Sequence, residues 1–433
     1  MLPVSEKITR YAFSLALAGL TVFLGYFAKR TDFLPFILAY GAFFGLYVWL
    51  FFFRKNKSQS ETRWFIGLGI ALRVLLLFSV PNLSDDFYRF LWDGRLTVAG
   101  IHPFAHPPSY FIENQIFPKG ITPELLSKLN SPEYFTVYPP VCQAVFALAA
   151  WVSPMSDFGA VFVMKLFLLA CEVGTIRLLG FGQTFGKLTP LLYALNPLVI
   201  FEIVGNCHFE GAMIFFLIAG LRALEQNKVK QAAAWWALAT ASKLLPLMFL
   251  PILWRWLGWR KGLVFNVVFA GTGLILFFPL LKMLPNILWS LDLYFRQFQF
   301  NASFYYLFRE IGFWQTGWDI GETLGPILGV ATVAGVLLIA WKSKSKALAE
   351  VVLFALMLQL SLSATVHPWY ATVPFALGLL SQWRFPIVWT GLVALSYSHY
   401  AGGFFQENYW LIVLEYSALW GFFFWEISQR KSA

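Results

Sequence analysis

The sequence predicts an all-α protein, a polytopic transmembrane helical bundle of about 12–14 membrane segments with an outer-face loop carrying short interfacial helices. Three observations point there. The 433 residues are 59% hydrophobic and 12% charged, where a soluble domain carries about 25% charged residues. Mean hydropathy is +0.65, and the apolar runs recur along the whole chain. No polar block is long enough to fold as a separate soluble unit, so residues 1–433 read as one integral membrane domain.

A span needs about 20 mostly apolar residues. The first run, Tyr11–Ala28, follows Lys7 and Arg10 as a signal peptide would. It lacks a clear small-residue cleavage site and another apolar run follows at once, so it reads as a retained helix. Phe33–Phe53, Trp64–Pro81, Phe158–Arg177, Leu188–Val204 and Gly211–Leu224 follow. Then come Gly262–Lys282, Glu322–Trp341, Ala347–Thr365, Trp369–Gln382, Phe385–Tyr400 and Tyr409–Ile427. Pro139–Ser153 and Gln231–Trp254 are ambiguous. The second is interrupted near Lys243 and Pro246, which suits a re-entrant hairpin or a kinked span.

The chain carries 32 Lys and Arg against 22 Asp and Glu, a net charge of +10. In a membrane protein such an excess belongs to cytoplasmic loops, and nucleic acid is not expected as a partner. Arg54, Lys55, Lys57 and Arg63 mark one such loop, Arg255, Arg260 and Lys261 a second, and Lys342, Lys344 and Lys346 a third. Arg430 and Lys431 place the C-terminus there too, and both termini are expected in the cytoplasm. The expected location is a bacterial inner membrane, with 82–138, 205–210, 285–321 and 366–368 facing outward. The unusual polar residues then collect on the outer side. Cys142, Cys171 and Cys207 show no paired spacing, which argues against a disulfide framework or a zinc site.

The loop 82–138 is the expected outer catalytic loop. It opens with Leu83-Ser84-Asp85-Asp86-Phe87-Tyr88-Arg89-Phe90-Leu91-Trp92-Asp93-Gly94-Arg95. Adjacent carboxylates at a membrane boundary are costly unless hydrated, paired or used. As a helix, the stretch puts Asp86, Arg89, Phe90 and Asp93 on one face, with Asp85, Arg89 and Trp92 on the neighbouring edge. A carboxylate beside arginine stays ionised, as a general base must. The plain alternative is that Ser84, Asp85 or Asp86 caps an interfacial helix.

Four further constellations follow. Gly100-Ile101-His102-Pro103-Phe104 is a proline-pinned aromatic loop, and Tyr138-Pro139-Pro140 returns the chain to the membrane with prolines suited to a first helical turn. Glu202 lies in an apolar span, ahead of a Gly205-Asn206 turn and of His208 and Glu210; two such ligands two residues apart are weak evidence for a metal. Lys243 sits at the break of an apolar segment, where its charge needs a phosphate, a carboxylate or freed carbonyls. Val366-His367-Pro368-Trp369-Tyr370 marks an outer aromatic corner where His367 could bind an anion or orient a carboxylate. A polar turn, a snorkelling lysine and an interfacial aromatic girdle are the bland readings of the last three.

In this order the motifs resemble the polytopic clan C glycosyltransferases, particularly the bacterial mannosyltransferase-like members. Asp85 to Arg95 with Gly100 to Phe104 looks like their first outer-loop signature. Tyr138-Pro139-Pro140, Asn196-Pro197-Leu198 with Gly205-Asn206 and His208, Lys243, and His367-Pro368-Trp369-Tyr370 follow in register. The chain departs at His102, where the family usually has Asn, and at Glu210, where it usually has Asp. The resemblance implies a polyprenyl-phosphate-linked sugar donor, a glycan, lipid or protein acceptor, membrane lipid as surroundings, and inverting transfer with an outer-loop Asp as base. Asp86 is the expected base, with Asp85 assisting or, as the alternative, exchanging roles with it. Arg89, Lys243 and His367 are candidates to stabilise the leaving phosphate. Trp92, Asp93, Arg95, His102, Tyr138, Glu202, Asn206, His208, Glu210, Trp369 and Tyr370 complete the expected substrate-binding set. No cofactor is required; a divalent cation (Mg or Mn) at the carboxylates is compatible with the sequence, though no dedicated metal ligands are expected. Two other readings share much of the pattern. A lipid or solute transporter would place its functional charges at mid-bilayer. A polymerase or ligase moving whole glycans between lipid carriers would have a similar outer site.

Overall fold

A computed structural model describes residues 4–53, 58–180, 188–343 and 347–432. The expected cytoplasmic markers Arg54, Lys55, Lys57, Lys344 and Lys346 lie outside the described residues. Among the described residues the architecture is helical throughout, with no strand and one isolated parallel bridge, Phe300 to Thr365.

Helices α1 (Val4–Val22), α2 (Phe33–Val48) and α3 (Gln59–Leu76) open the bundle. Ser58 caps α3 by accepting from the Glu61 N–H at 3.1 Å. α4 (Asp86–Val98) lies in the loop after α3. Two short loop helices follow, α5 (Pro108–Glu113) and α6 (Pro123–Ser127), each with proline in its first turn, where the missing N–H costs nothing. The loop thus carries short helices, as expected. α7 (Pro140–Val152) begins at the predicted proline pair, and α8 (Asp157–Gly180) follows.

The middle of the chain is broken. α9 (Thr189–Ala194) and α10 (Pro197–Val199) lead into a π-helical turn at Ile200–Gly205. Beyond it the path bends by 114° into α11 (Glu210–Glu225). α12 (Val229–Ser242) returns antiparallel. Lys243 is extended (φ −153°, ψ 137°), and a short 3₁₀ turn with Pro246 leads to α13 (Leu250–Phe277). The expected interruption therefore falls at Lys243–Pro246, with a second break at Gly258 (φ 72°), where the backbone is left-handed. α14 (Leu284–Gln297), α15 (Phe304–Thr316), α16 (Gly321–Lys342), α17 (Leu348–Leu362), α18 (Thr372–Ser381), α19 (Phe385–Leu392) and α20 (Tyr409–Ser432) complete the chain.

Every expected span falls on helix, but fewer qualify as uninterrupted crossings than the dozen or so expected. Among the described residues six stretches are long and apolar enough, or seven if the bent pair counts as one span. α17 has 15 residues, α18 has 10 and α19 has 8. Pro368 and Pro386 start new helices there. α18 is buried from Thr372 to Leu380. These pieces are covered by protein, so their freed backbone groups need not face lipid. Leu15, Leu38, Val267, Ile275 and Val330, by contrast, lie exposed on the longer helices, as side chains suited to lipid contact do.

Two buried charged arrangements tie the bundle together. Arg73 of α3 meets Glu172 of α8 at 2.9 Å, both fully buried. Lys165 of α8, also buried, donates to the Leu76 carbonyl (2.9 Å), the Ser79 carbonyl (2.7 Å) and the Ser79 hydroxyl (3.0 Å). It satisfies carbonyls at the end of α3, where a cation is favoured. That clamp fixes the turn from which Asp85 and Asp86 emerge.

Candidate active site

Residues 82–86 are held by contacts from three directions. Asn82 donates to the carbonyls of Leu24 (2.9 Å) and Ala28 (2.6 Å). The Leu83 N–H donates to Asn206 Oδ1 at 3.1 Å, while Asn206 Nδ2 donates to the Phe201 carbonyl at 3.0 Å. Asn206 thus joins the α10–α11 turn to the carboxylate segment through both ends of its side-chain amide. Asp85 sits at the N-cap position of α4 but makes no capping bond. It forms an ion pair with Arg30, whose guanidinium lies 4.8 Å from the Tyr400 ring centre. The Asp86 N–H contacts Ser84 Oγ at 3.3 Å, so Ser84 supplies the capping contact.

Asp86 is arranged differently. Its Oδ1 accepts from Asn130 Nδ2 at 3.1 Å, and among the described residues it has no ion pair. Its charge reaches Tyr138, Lys243 and His367. Lys243 pairs with Glu210 at 2.9 Å and stands 5.5 Å from the Tyr138 ring centre. Burial works against the Lys243 ammonium, but Glu210, Cys142 and Asp86 outweigh it and raise its pKa. Lys243 is a cation here, still partly open at 25% side-chain exposure.

The aromatic corner closes the other side. His208, Trp369 and His367 form a continuous stack, with ring centres 3.7 Å and 4.4 Å apart and planes within 17° and 9°. Tyr370 meets His367 edge-on. Glu202 accepts from the Tyr397 hydroxyl at 2.7 Å and turns its other oxygen to within 3.4 Å of His208 Nε2. Phe300 packs on His367 at 4.8 Å and exchanges backbone hydrogen bonds with Ala364 and Val366, which fixes the 363–367 turn. Burial pulls the His367 pKa down to about 3, against the pull of Asp86 and with His208, Lys243 and His399 adding to the depression. The expectation that His367 supplies positive charge is therefore corrected: burial favours its neutral form, and among the described residues its buried Nδ1 has no hydrogen-bond partner.

That depression has a measurable consequence. A histidine that is neutral when folded and protonated when unfolded costs stability as pH falls below about 6.5. The unfolded state then binds one more proton down to a pH near 3. We expect detergent-solubilised protein to lose up to about 1.4 kcal/mol per pH unit from this source, and H367Q to flatten the fall. Melting temperatures for the two proteins between pH 7 and 4.5 check it; parallel slopes refute it.

Other expected site residues do structural work. Arg89 does not pair with Asp85 or Asp86. Its Nε meets Asp93 Oδ1 at 2.9 Å, and its NH1 donates to the Tyr134 carbonyl at 3.0 Å. Gln143 donates to the other Asp93 oxygen at 2.8 Å. Arg89 and Asp93 are buried, so Arg89 is corrected from phosphate ligand to loop fastener. Trp92 is fully buried against Phe111. Arg95 pairs with Asp157 at 2.5 Å and donates to the Gly120 carbonyl at 3.2 Å. His102 tacks its loop to the Pro279 carbonyl at 3.2 Å.

The structure thus brings together Asp85, Asp86, Tyr138, Glu202, His208, Glu210, Lys243, His367, Trp369 and Tyr370. It adds Arg30, Asn130, Tyr397 and Tyr400. Among the described residues no three His, Cys, Asp or Glu side chains converge as metal ligands.

Carboxylates, a lysine and an aromatic stack at one end of a membrane bundle suit transfer chemistry, and comparison with known proteins agrees. A family model described as the N-terminal domain of alpha-(1->6)-mannopyranosyltransferase matches residues 14–258, more than half of the chain. The chain belongs to this family. The match takes in Asp85, Asp86, Asn130, Tyr138, Glu202, His208, Glu210 and Lys243, and ends before the 367–370 corner. Alpha-(1->6)-mannopyranosyltransferase A of Mycobacterium tuberculosis is 27% identical over 221 residues, covering 49% of this chain. Alpha-(1->6)-mannopyranosyltransferase B of Corynebacterium glutamicum is 24% identical over 170 residues, covering 38%. The matched stretches span 41% and 27% of those relatives' lengths.

Proposed function

We propose that the protein is an integral membrane glycosyltransferase that moves a mannose-type hexose from a polyprenyl-phosphate donor to an acceptor hydroxyl, with inversion, on the outer face of a bacterial inner membrane. The observation that carries the mechanism is the contrast between the two aspartates. Asp85 is neutralised by Arg30, whereas Asp86, held by Asn130 and within electrostatic reach of Lys243, has no ion pair among the described residues.

In this reading Asp86 takes the proton of the acceptor hydroxyl as its oxygen attacks the anomeric carbon. The bond from that carbon to the phosphate oxygen breaks, and its electron pair leaves with the polyprenyl phosphate. Lys243 meets the charge growing there. Arg30 is a second cation within the cluster, and neutral His367 offers a hydrogen-bonding nitrogen. The edge of the His208–Trp369–His367 stack walls the site on its aromatic side. Protein cations then meet the phosphate without a bound divalent ion. Both relatives carry alpha-(1->6) in their names; an alpha product formed by inversion calls for the beta anomer of the donor.

The test is sugar transfer by the reconstituted protein from purified polyprenyl-phosphate hexoses of either anomer. Transfer from the beta anomer alone is the expected result. Transfer from the alpha anomer would overturn inversion. Absence of transfer or donor hydrolysis from any carrier-linked sugar, with folded protein that binds polyprenyl lipid, would favour a transporter. We further expect K243M to lower kcat by about 10²–10³, as removal of a transition-state charge partner does. A change in KM with kcat unaltered would assign Lys243 to ground-state binding instead.

A further inference from the structure

A second charged feature lies at the far end of the α11–α12 hairpin. Glu210 and Lys243 mark the end of this hairpin at the candidate active site. The 16 residues of α11 run from there to Glu225, about 24 Å away at the rise of an α-helix. At that far end a cavity of about 560 Å³ is lined by Asn227, Lys228, Lys230, Arg260, Lys261 and Val264, among others.

Its charge is uncompensated. Lys261 donates to Asn227 Oδ1 at 2.7 Å, and among the described residues none of the four cations has an ion pair. Glu225, the carboxylate on the connecting turn, is taken by Arg222 at 2.7 Å. Four unpaired cations drawn around one concavity repel each other, so the cavity favours an anion of more than one charge or several acceptor oxygens.

The surroundings say what carries that anion. Past Gly258 the chain sets Trp259 at 68% exposure, then Arg260 and Lys261, and then an apolar run with Leu263, Val267 and Ile275 exposed. This is the order headgroup, interface, acyl chain read down one helix: tryptophan and basic residues sit at a bilayer boundary, and exposed aliphatic side chains lie below it. Val264 belongs to both the cavity and the apolar run. A soluble phosphate would use the cations and leave the apolar continuation idle; an amphiphile uses both.

We propose that this cavity is a binding site for the phosphate headgroup of an anionic phospholipid, whose acyl chain lies along the exposed face of α13. It lies at the other end of the α11–α12 hairpin from the candidate active site and does not rest on the transferase reading. Juxtamembrane cations of this kind attract anionic lipid additively.

The experiment measures lipid retained by the full-length protein after partial delipidation from mixed phosphatidylglycerol and phosphatidylcholine micelles, by native mass spectrometry. Wild type is expected to retain phosphatidylglycerol. The variant K228Q/K230Q/R260Q/K261Q is expected to retain about tenfold less or lower still, with phosphatidylcholine unchanged. R255Q, which removes a cation on the Trp341 ring outside the cavity, should behave as wild type. Equal retention by the quadruple variant, an equal fall in phosphatidylcholine, or an equal fall in R255Q would overturn the proposal. So would displacement of the lipid by millimolar inorganic phosphate, which would assign the cavity to a soluble anion. Should the quadruple variant not fold, a photoactivatable phosphatidylglycerol on wild type decides: labelling within 227–267 supports the site, and labelling elsewhere overturns it.

Discussion

Replacing Asp86 with Asn should lower sugar transfer by about 10²–10⁴, the range a positioned general base supplies, while leaving the protein folded. The reasons are local. Asp86 is the first residue of α4 and only partly buried, and among the described residues it bears one side-chain hydrogen bond, from Asn130. An asparagine carbonyl oxygen can accept that same bond, so the geometry survives and only the proton-accepting capacity is lost. D85N makes the matched control. It leaves Arg30 without its carboxylate, which should disturb substrate binding more than the chemical step and show mainly in KM. Measuring kcat and KM for wild type, D86N and D85N, with melting temperatures alongside, separates the two. If D86N kept more than a tenth of the wild-type kcat, Asp86 would not be the base; a D85N enzyme that lost kcat alone would move the role there.

The adjacent carboxylates, the proline-led helix starts and the polar residues at span ends were legible because each breaks a rule of composition or backbone geometry. What the sequence left open was partner choice. Arg89 has Asp85 and Asp86 on one side and Asp93 on the other, all at helical contact spacing. Gln143 and the Tyr134 carbonyl, both distant in sequence, settle the pairing with Asp93. Arg30 does carry a signal in the sequence: with a cytoplasmic N-terminus, Lys29 and Arg30 fall in an outward turn, against the positive-inside trend. Glu172 and Lys165 are charges inside an apolar run, the same warning that singled out Glu202. Which apolar segments cross unbroken was not legible, because hydropathy does not distinguish apolar residues facing lipid from those packed inside a protein. Leu353, Phe375 and Trp389 belong to the second group.

Breaking the buried Arg73–Glu172 pair should be the most destabilising charge change in the bundle. Arg73 meets Glu172 through Nε at 3.0 Å and also donates to the carbonyls of Gly69 (2.9 Å) and Ala194 (2.5 Å). Glu172 accepts from the Tyr193 hydroxyl at 2.7 Å with its other oxygen. One guanidinium therefore joins α3, α8 and the end of α9. Space is tight there, since a Cβ on Gly69 would come within 2.4 Å of the Ala194 carbonyl oxygen. No water reaches the site to relieve an orphaned charge, because both side chains are fully buried. Removing one partner leaves the other's charge unmet, a loss of about 3–5 kcal/mol. Removing both leaves only neutral polar groups unpaired, at roughly 1–3 kcal/mol. We therefore expect E172L and R73M each to be less stable than the double variant R73M/E172L. The coupling should exceed about 2 kcal/mol in a double-mutant cycle, read from reversible unfolding in mixed micelles. Additive losses would mean that the pair stabilises by packing rather than by mutual neutralisation. Because α3 ends in the turn that delivers Asp85 and Asp86, the single variants should also lose activity in proportion to the folded fraction. Activity per folded molecule should hold in all three, which distinguishes a structural charge pair from a member of the catalytic cluster.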